Sequence, residues 1–525
     1  MQTETKRPAP PSGPGGDYER LPYLSLPFAY TQPSHLAALA TLHGLAAPAP
    51  ERARVLELGC ASGGNLLPLA ARFPEARCLG LDLSERQISD GKRKIAALGL
   101  GNIELRQANI LDFVPTAGSF DYVICHGVYS WVPPVVQAAI LRVASTALSV
   151  TGMAAISYNV LPGWHLRHVL RDIFLHHAGK TGSPQERVAR VRELLPKLAD
   201  GARSSQPAGA APYGDVLRHE ALQLAKMPSS YILGEFLADY NLPCSFQTFS
   251  AAAAGHGLSY LCEADLGSTA RSLLTPQARK TVAEIAAGDA ATTEHYLDMF
   301  SGRPFRRSIL VSSLRQGARA PALQPATLRT LYISSPLKPN PAASQGDVLA
   351  FSDDHGQSIS TRSPAIGAAL RRLAASYPDN VAVTAVVANA GDETNVLRAL
   401  LNLLLEGRAT LSALPLRVGA ASDAKPKVWP LAHAEAVAGL PGVTSLRHVT
   451  VAVTKPARQI AVQMDGARDR IELTQWLIAA IERGEITVPA EDTGQSAASV
   501  AAKLLDDTLQ HLAGCAVLEP APKST

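Results

Sequence analysis

The sequence predicts an α/β protein, in which a doubly wound parallel sheet with a helical insertion precedes a C-terminal α+β region. Three observations support that fold class. Strand signals alternate with helical segments through the first third of the chain, which is typical of a Rossmann-like sheet. Helical patterns then fill residues 164–255, interrupted by a low-complexity loop at 201–212, before strand signals return at 257–262 and 308–312. Five prolines within 321–341 mark a boundary, and short strand signals with helices at 364–376 and 394–405 follow it.

The first strand and the turn after it carry the strongest signal. Residues 54–65 read R-V-L-E-L-G-C-A-S-G-G-N, a short apolar strand that breaks at Gly59 before a helical run. Glycines at such a turn permit positive φ and let a ligand approach the backbone at a helix N-terminus. Nineteen residues after Gly63, a second apolar strand ends at Asp82, where a carboxylate can accept hydrogen bonds from ribose hydroxyls. The pair indicates a nucleoside site, and the alternative is an ordinary β–α corner.

Helices and strands continue this alternation along the chain. Their patterns predict helices at 34–44, 84–98 and 135–148, and strands at 103–110, 120–126 and 152–158. Ligands bind at the carboxyl ends of parallel strands. The residues that close these strands are therefore candidate site residues, namely Asn109, residues 126–132 and residues 158–164.

The composition indicates a globular protein of about three domains. The 525 residues include 49 basic and 45 acidic side chains, a net charge of +4 without a dense Lys/Arg block, so nucleic acid is not an expected partner. Six scattered cysteines without C-x-x-C spacing indicate reduced core residues. No apolar run has the length of a signal peptide core or of a transmembrane helix, so we expect a cytoplasmic protein without membrane insertion.

Several segments resemble one bacterial family. Glu57, Gly59 and Gly63 resemble the E-x-G-x-G-x-G motif of class I methyltransferases, which use S-adenosyl-L-methionine (SAM), with Ala61 in place of the middle glycine. The wider pattern resembles class I methyltransferases with a methyltransferase regulatory domain, among them protein lysine methyltransferases of bacterial outer-membrane proteins. The segments that carry this resemblance are 23–33 (YLSLPFAYTQP), 57–65 (ELGCASGGN), 82–84 (DLS), 126–132 (HGVYSWV) and 157–164 (SYNVLPGW), with further similarity at 256–261, 305–307 and 464–470.

The resemblance implies a cofactor pocket at the carboxyl ends of the strands. The residues that it places around SAM, or around the product S-adenosyl-L-homocysteine (AdoHcy), are Glu57, Gly59, Cys60, Ala61, Gly63, Asn65, Asp82, Leu83, Asn109, Ile110 and His126. Glu57 and Asp82 are expected to fix the donor, and Asn109 is expected to meet the adenine. Four histidines between 165 and 177 share one helix without an accompanying acid or cysteine cluster, so no metal is expected.

A lysine acceptor adds a protonation problem. Its pKa is near 10.4, so the free amine costs about 5 kcal/mol at neutral pH, and aromatic side chains can hold the cation before it loses its proton. The candidate catalytic residues are Tyr129 and Tyr158 to orient the amine, Trp131 or Trp164 to wall the channel, Asn159 beside them, and His126 to contact the methionine part of the cofactor or relay protons. The alternative is that these side chains only pack beneath the helical cap.

The sequence also predicts how the chain is divided. The expected segments are a disordered N-terminus at 1–17, a SAM-binding core at 18–180, a helical regulatory or cap domain at 181–315 that returns to the sheet, a winged-helix-like domain at 345–408 and a C-terminal α+β domain at 409–515. The aromatic segment 18–30 is a candidate lid, with Tyr23 or Tyr30 at the ligand, and the alternative is an arm packed on the core. We expect protein contact, rather than DNA binding, from the last two domains.

The predicted function is methyl transfer from SAM to a protein, on lysine side chains, with an outer-membrane protein before export as one candidate acceptor. Two alternatives are left open. One is a methyltransferase for small molecules or peptide natural products, and the other is a SAM-binding scaffold without catalysis. The sequence does not indicate the oligomeric state or the number of methyl groups added.

Overall fold

The computed structural model describes residues 24–204, 211–268, 270–320, 322–487 and 494–521. The N-terminus predicted to be disordered, at 1–17, lies outside these residues, and so does Tyr23. None of the helices in the described part of the chain has the length and apolarity that crossing a bilayer requires.

The N-terminal part alternates helices and strands, as the sequence predicts. Its elements are α1 (Pro33–Leu42), β1 (Arg54–Leu58), α2 (Leu67–Arg72), β2 (Arg77–Asp82), α3 (Glu85–Leu98), β3 (Ile103–Gln107), β4 (Phe120–Cys125), α4 (Pro134–Ala147), β5 (Leu148–Asn159), α5 (Gly163–Ala178), α6 (Pro184–Ser204), α7 (Ala211–Leu224), α8 (Ser229–Ile232), α9 (Phe246–Gly255), β6 (Leu258–Glu263), α10 (Ala270–Leu273), α11 (Pro276–Ala286), α12 (Ala290–Ser301) and β7 (Phe305–Ser312).

The C-terminal part consists of shorter elements. These are β8 (Tyr332–Ser334), β9 (Lys338–Pro339), β10 (Leu349–Ser352), β11 (Ser358–Thr361), α13 (Pro364–Ser376), β12 (Val381–Ala382), α14 (Val383–Val387), α15 (Glu393–Leu405), β13 (Thr410–Ser412), α16 (Pro430–Val437), β14 (Gly442–Thr444), β15 (Thr450–Ala452), α17 (Lys455–Ala461), α18 (Arg470–Glu482) and α19 (Ala497–Gly514).

One large sheet organises the N-terminal part. Within the described residues it has seven strands, in the order β3-β2-β1-β4-β5-β7-β6. Strands β1 to β5 pair in parallel, and β7 runs antiparallel to both β5 and β6. The strand order reverses between β1 and β4, which is where doubly wound sheets bind ligands. The doubly wound sheet is therefore confirmed, and β6 and β7 are the strands expected after the insertion.

Both faces of this sheet are covered. Val55 of β1 packs into an apolar cluster on one face, while Leu56 and Leu58 pack into a second cluster on the other face. A parallel strand that is buried on both faces is usually apolar throughout. Among the buried residues of β1, Glu57 is the polar one, with its carboxyl group enclosed by the apolar residues.

The helices between β5 and β6 form the cap that the sequence predicts as an insertion. Leu170, Phe174, Val191 and Phe236 belong to an apolar cluster of this cap. The bounds of the loop predicted at 201–212 are wrong at both ends, because α6 continues to Ser204 and α7 begins at Ala211. The apolar face of α6 continues past Ala199 into that region, as far as Ala202, and both residues are buried.

The C-terminal part includes a two-stranded hairpin that we call the wing, residues 442–452. Its strands β14 and β15 are antiparallel, with Val443 opposite Val451. Strand β15 begins at Thr450, so the apolar residues just before it lie outside the strand. His448 has φ +61°, a left-handed conformation that a strand cannot contain. Residues 445–449 therefore form a turn, which we call the wing tip.

Candidate active site

The turn after β1 lies close to the neighbouring strands. Gly59 and Gly63 both have φ +77°, and Ala61 has φ +48°. A Cβ at Gly59 would lie 2.3 Å from Cγ2 of Val128, so only glycine fits there. The Gly59 amide donates to the Leu81 carbonyl at 2.8 Å. This backbone geometry leaves the turn without a bulky side chain at the position where a ligand would approach it.

Glu57 places a carboxyl group beneath this turn. Its side chain is 4% exposed. The Asn65 amide Nδ2 donates to Oε1 at 2.8 Å, whereas Oε2 is buried and has no hydrogen-bond partner among the described residues. Burial, as the main cause, raises the pKa of Glu57 to about 8 against the lowering effect of the Asn65 hydrogen bond. A buried acceptor without a partner is costly, so Oε2 indicates the position of a ligand donor.

Asn65 connects Glu57 to two other parts of the chain. Its Oδ1 accepts hydrogen bonds from the Phe28 amide at 3.0 Å and from the Thr31 hydroxyl at 3.1 Å. It also lies 2.8 Å from Nε2 of His448, at the wing tip. The side chain of Asn65 is therefore held by the N-terminal segment and by the wing at the same time.

Asp82 ends β2 with its carboxylate turned toward the same site. Oδ2 accepts from the Ala61 amide at 2.8 Å, and Oδ1 accepts from the Ser84 amide at 2.9 Å. A carboxylate offers about four acceptor positions, so these bonds set its orientation and are compatible with further donors such as ribose hydroxyls. The predicted pair of acids, Glu57 and Asp82, thus lies at the ends of adjacent strands.

The other predicted cofactor residues surround this pair. Leu83 is 47% exposed beside Asp82, while Cys60 is buried. Asn109 is exposed after β3, and its Oδ1 accepts from the Leu111 amide at 3.0 Å. Ile110 is half-buried against the second apolar cluster. The roles assigned to these residues from the sequence stay predictions.

Four rings form a cluster at the carboxyl ends of β4 and β5, which we call the aromatic box. Its members are Phe28, Tyr30, His126 and Phe305, with ring centroids of Phe28 and His126 4.0 Å apart, and those of His126 and Phe305 5.9 Å apart. The Tyr30 hydroxyl lies 3.0 Å from Nε2 of His126. The guanidinium of Arg307 lies 4.5 Å from the centroid of the Tyr30 ring and 5.3 Å from that of Phe305. The box therefore already contacts a cation.

The electrostatics keep the rings of this box neutral. Burial, followed by the charge of Arg307, lowers the pKa of His126 to about 3. Burial also raises the pKa of Tyr30 to about 12, although Arg307 acts in the opposite direction. His126 Nδ1 is buried and lacks a hydrogen-bond partner in the described part of the chain. At neutral pH, the charges next to these rings are thus the guanidinium of Arg307 and the carboxylate of Asp265, whose Oδ2 lies 3.7 Å from Arg307 Nη1.

The two tyrosines predicted to orient an amine lie deeper than the box. Tyr158 is 1% exposed, stacks on Phe249 with ring centroids 3.9 Å apart, and has its hydroxyl 3.3 Å from Ser308 Oγ. Tyr129 is 4% exposed and contacts both rings edge-on. Both tyrosines therefore pack where the cap meets β5, the arrangement that the sequence analysis left open as the alternative.

The remaining predicted acceptor residues also contact the cap. Trp164 is 1% exposed, and its ring lies 6.1 Å from that of the half-buried Trp131. Asn159 is buried and donates from Nδ2 to Asn241 Oδ1 at 3.2 Å. His126 is the predicted catalytic residue that lies in the aromatic box. The catalytic roles of all six predicted residues, His126 included, stay predictions.

Several residues at this site carry no role in the sequence-based prediction. Phe28 lies within the candidate lid, and Phe305 and Arg307 lie in a segment that only resembles the family. His448 is 383 residues from its partner Asn65, and no local pattern marks it. In the described residues, no group of three or more His, Cys, Asp or Glu side chains could hold a metal ion.

Three protein-family models match separate parts of the chain. A methyltransferase domain matches residues 55–152, which include β1 to β4 and the turn after β1. A predicted methyltransferase regulatory domain matches residues 228–312, and a PKMT C-terminal winged helix domain matches residues 424–517. The last match includes the wing.

Comparison with individual proteins extends the similarity along the chain. The chain is 32% identical over 492 residues to the uncharacterized protein RP789 of Rickettsia prowazekii (strain Madrid E), an alignment that covers 90% of this chain and 88% of RP789. It is 37% identical over 232 residues to RP028 of the same organism, covering 44% of this chain and 91% of RP028. The solved structure of PKMT2 from Rickettsia typhi in complex with AdoHcy is 26% identical, with a TM-score of 0.83, and covers 95% of this chain and 100% of that one.

Proposed function

Because the chain belongs to the family of class I SAM-dependent methyltransferases that carry a methyltransferase regulatory domain, we propose that it methylates lysine side chains of a protein. The proposal of a lysine acceptor rests on the aromatic box, whose rings contact the guanidinium of Arg307. The box lies beside the turn after β1, which we call the cofactor turn. The likeness to PKMT2 along 95% of this chain supports a protein as the acceptor.

SAM is the cofactor of this methyltransferase, and when bound it supplies a methyl group on a sulfonium centre. The residues present fit that ligand. Glu57 Oε2 is a buried acceptor without a partner in the described residues, and Asp82 is oriented by two backbone amides. We propose that these two acids hold the hydroxyl and amino groups of SAM, that Asn109 and Ile110 contact the adenine, and that His126 faces the methionine end.

The acceptor must lose a proton before it attacks the methyl group. A lysine ammonium with a pKa near 10.4 needs about 5 kcal/mol to become neutral at pH 7. Burial in a box of neutral rings disfavours the charged amine, and the nearby guanidinium of Arg307 disfavours it further. With a pKa of about 3, His126 is too weak a base to remove this proton by itself. We therefore assign the lowering of the amine pKa to desolvation and to the charge of Arg307, with bulk water accepting the proton as the amine enters the box.

The modules outside the sheet support a macromolecular acceptor. The winged helix domain and the cap extend the chain well beyond the elements that SAM requires. An outer-membrane protein, methylated in the cytoplasm before its export, is the acceptor that agrees best with the resemblance of the sequence.

The experiment is to incubate the purified full chain with methyl-labelled SAM and a cell-envelope extract, and to locate the label by mass spectrometry. We expect labelled lysine in protein. An Asp82→Asn variant, which retains the size of that side chain but not its charge, is the matched control and should lose the labelling together with AdoHcy binding. Label confined to small molecules would replace the proposal with the natural-product alternative, and cofactor binding without label in any acceptor would contradict it.

A further inference from the structure

The wing reaches the cofactor turn from the far end of the chain. His448 at the wing tip is 2% exposed, and its Nε2 lies 2.8 Å from Oδ1 of Asn65. The left-handed conformation of His448 is held by two backbone hydrogen bonds of the tip, from His448 to the Ser445 carbonyl at 2.9 Å and from Ser445 to the Val449 carbonyl at 2.9 Å. The tip is therefore shaped so that this one side chain projects onto Asn65.

The hydrogen-bond pattern defines which atom donates. Asn65 Nδ2 donates to the Glu57 carboxyl, and Oδ1 accepts from the Phe28 amide, so the oxygen of Asn65 is the atom that faces His448. Nε2 of His448 must then carry the proton. Burial and the charge of Arg72 lower the pKa of His448 to about 3, so the imidazole is neutral and donates from this nitrogen at neutral pH.

Other contacts hold the wing tip in this place. The Arg72 side chain donates to the Leu446 carbonyl at 3.4 Å, and Gln32 Nε2 donates to the Arg447 carbonyl at 3.2 Å. On the other side of the tip, the Leu446 amide donates to the Ala516 carbonyl at 2.8 Å. α16 of the winged helix domain packs against α2 and α3, the helices that follow β1 and β2.

We propose that His448 is a positioning residue for methyl transfer, which fixes the Asn65 amide and through it the Glu57 carboxyl that receives the cofactor. The proposal rests on the cofactor site proposed above, and it does not depend on the identity of the acceptor. It gives the winged helix domain a role in cofactor binding, because the donor to Asn65 comes from that domain.

The consequence for Glu57 is measurable as a pH dependence. The hydrogen bond from Asn65 lowers the pKa of Glu57, so loosening Asn65 raises that pKa further. The titratable groups that face Glu57 are the Asp82 carboxyl and the thiols of Cys60, Cys78 and Cys125. Burial raises the pKa of all three thiols, so they stay neutral between pH 6 and 9. A cofactor that binds the ionised Glu57 should bind more tightly as pH rises through that window.

Two substitutions of His448 by amide residues test its hydrogen bond to Asn65. His448→Gln can place a donor near the position of Nε2, whereas His448→Asn tolerates the left-handed backbone but is too short to reach Asn65. His511→Asn is the control, because His511 Nε2 lies 3.0 Å from the Ala452 carbonyl of the same wing and is exposed. For each full-length variant, AdoHcy binding is measured by calorimetry from pH 6 to 9, and hydrogen exchange of residues 59–66 is measured without ligand.

We expect His448→Asn to bind AdoHcy about fivefold more weakly at pH 7.5, with its pH profile shifted to higher pH and with faster exchange in 59–66. His448→Gln should return to within about twofold of wild type, and His511→Asn should not differ from it. A His448→Asn variant with the wild-type affinity and profile would overturn the proposal, as would equal losses in both His448 variants. Failure of wild type itself to bind AdoHcy would instead overturn the cofactor site.

Discussion

Burial of Glu57 links the stability of the chain to pH. Its pKa is about 8 in the folded chain against an ordinary value of 4.5, so between these values the folded state binds more protons than the unfolded state. Stability therefore falls as pH rises through that window. Glu57→Gln removes this titration. Without ligand, we expect the variant to nearly match wild type at pH 5 and to exceed its free energy of unfolding by up to about 5 kcal/mol at pH 8.5, as measured by urea unfolding.

The control for Glu57→Gln is Glu51→Gln, because Glu51 is an exposed glutamate just before β1. It should change the free energy of unfolding by less than about 0.5 kcal/mol at either pH. A difference between Glu57→Gln and wild type that is the same at both pH values would contradict the raised pKa of Glu57.

Removing the hydroxyl group of either of two tyrosines tests where the acceptor amine is held. The Tyr30 hydroxyl lies in the aromatic box beside His126, whereas that of Tyr158 faces Ser308 in the core. If the amine is held in the box, Tyr30→Phe should lower kcat about tenfold or more, because a positioned polar contact to the reacting group is lost. Tyr158→Phe should leave kcat within about twofold. Steady-state rates with a labelled protein acceptor test this, and the reverse order would return the role to Tyr158.

At the scale of residues, the sequence is informative where one short segment carries the whole signal. Glu57, the glycines after it and Asp82 can be identified from two strand ends and the spacing between them. The burial of Tyr158 and Trp164 cannot be deduced in this way, because a polar aromatic residue after a strand occurs equally in a core and in a cleft. The contact of Asn65 with His448 has no local signal, since it depends on how distant elements pack.

A buried ion cluster joins α12, a helix of the segment that matches the regulatory domain, to the sheet. Arg306 of β7 is fully buried, and it donates from Nε to Asp298 at 2.8 Å and from Nη1 to Glu263 at 2.8 Å. Arg306→Met would leave these two carboxylates buried with less compensating charge. Because breaking a buried pair leaves an uncompensated charge, we expect it to lower the free energy of unfolding by about 3–5 kcal/mol, as measured by urea unfolding.

Arg329→Met is the matched control for Arg306→Met. Arg329 pairs with Glu393 at 2.8 Å, but both side chains are more than 40% exposed. Surface pairs of this kind contribute between about 0 and 1 kcal/mol. If Arg306→Met lowers the free energy of unfolding no more than Arg329→Met does, the ion cluster does not hold α12 to β7.

Elements with their own end signals are predicted well from the sequence. The helix predicted at 364–376 is α13 with the same bounds, and Ser363 caps it by accepting from the Ile366 amide. The wing tip has no such end signal in its sequence, and contacts with α2 and with Ala516 hold its residues in a turn. Alternating apolar residues alone do not distinguish a strand from a turn that is buried against another domain.

At the scale of the whole molecule, the apolar core continues between modules that the sequence separates. Leu36 of α1, Val55 of β1, Ile333 of β8, Trp429 and Leu509 of α19 belong to one buried cluster. Sequence periodicity identifies which face of an element is buried, but not which element covers it. The proline-rich boundary at 321–341 is therefore a boundary in composition, across which the core continues.

The contact between Asn65 and His448 predicts that the cofactor stabilises residues far from its own site. AdoHcy at about 100 times its Kd should stabilise the folded chain by about 2.7 kcal/mol. Because Asn65 joins the cofactor turn to the wing tip, hydrogen exchange should slow in residues 57–66 and in 445–449 together, while the hairpin of β10 and β11 serves as the unaffected control in the same half of the chain. In His448→Asn, slowing should persist at 57–66 and disappear at 445–449. Slowing that is confined to 57–66 in the wild-type chain would mean that cofactor binding is not coupled to the wing tip.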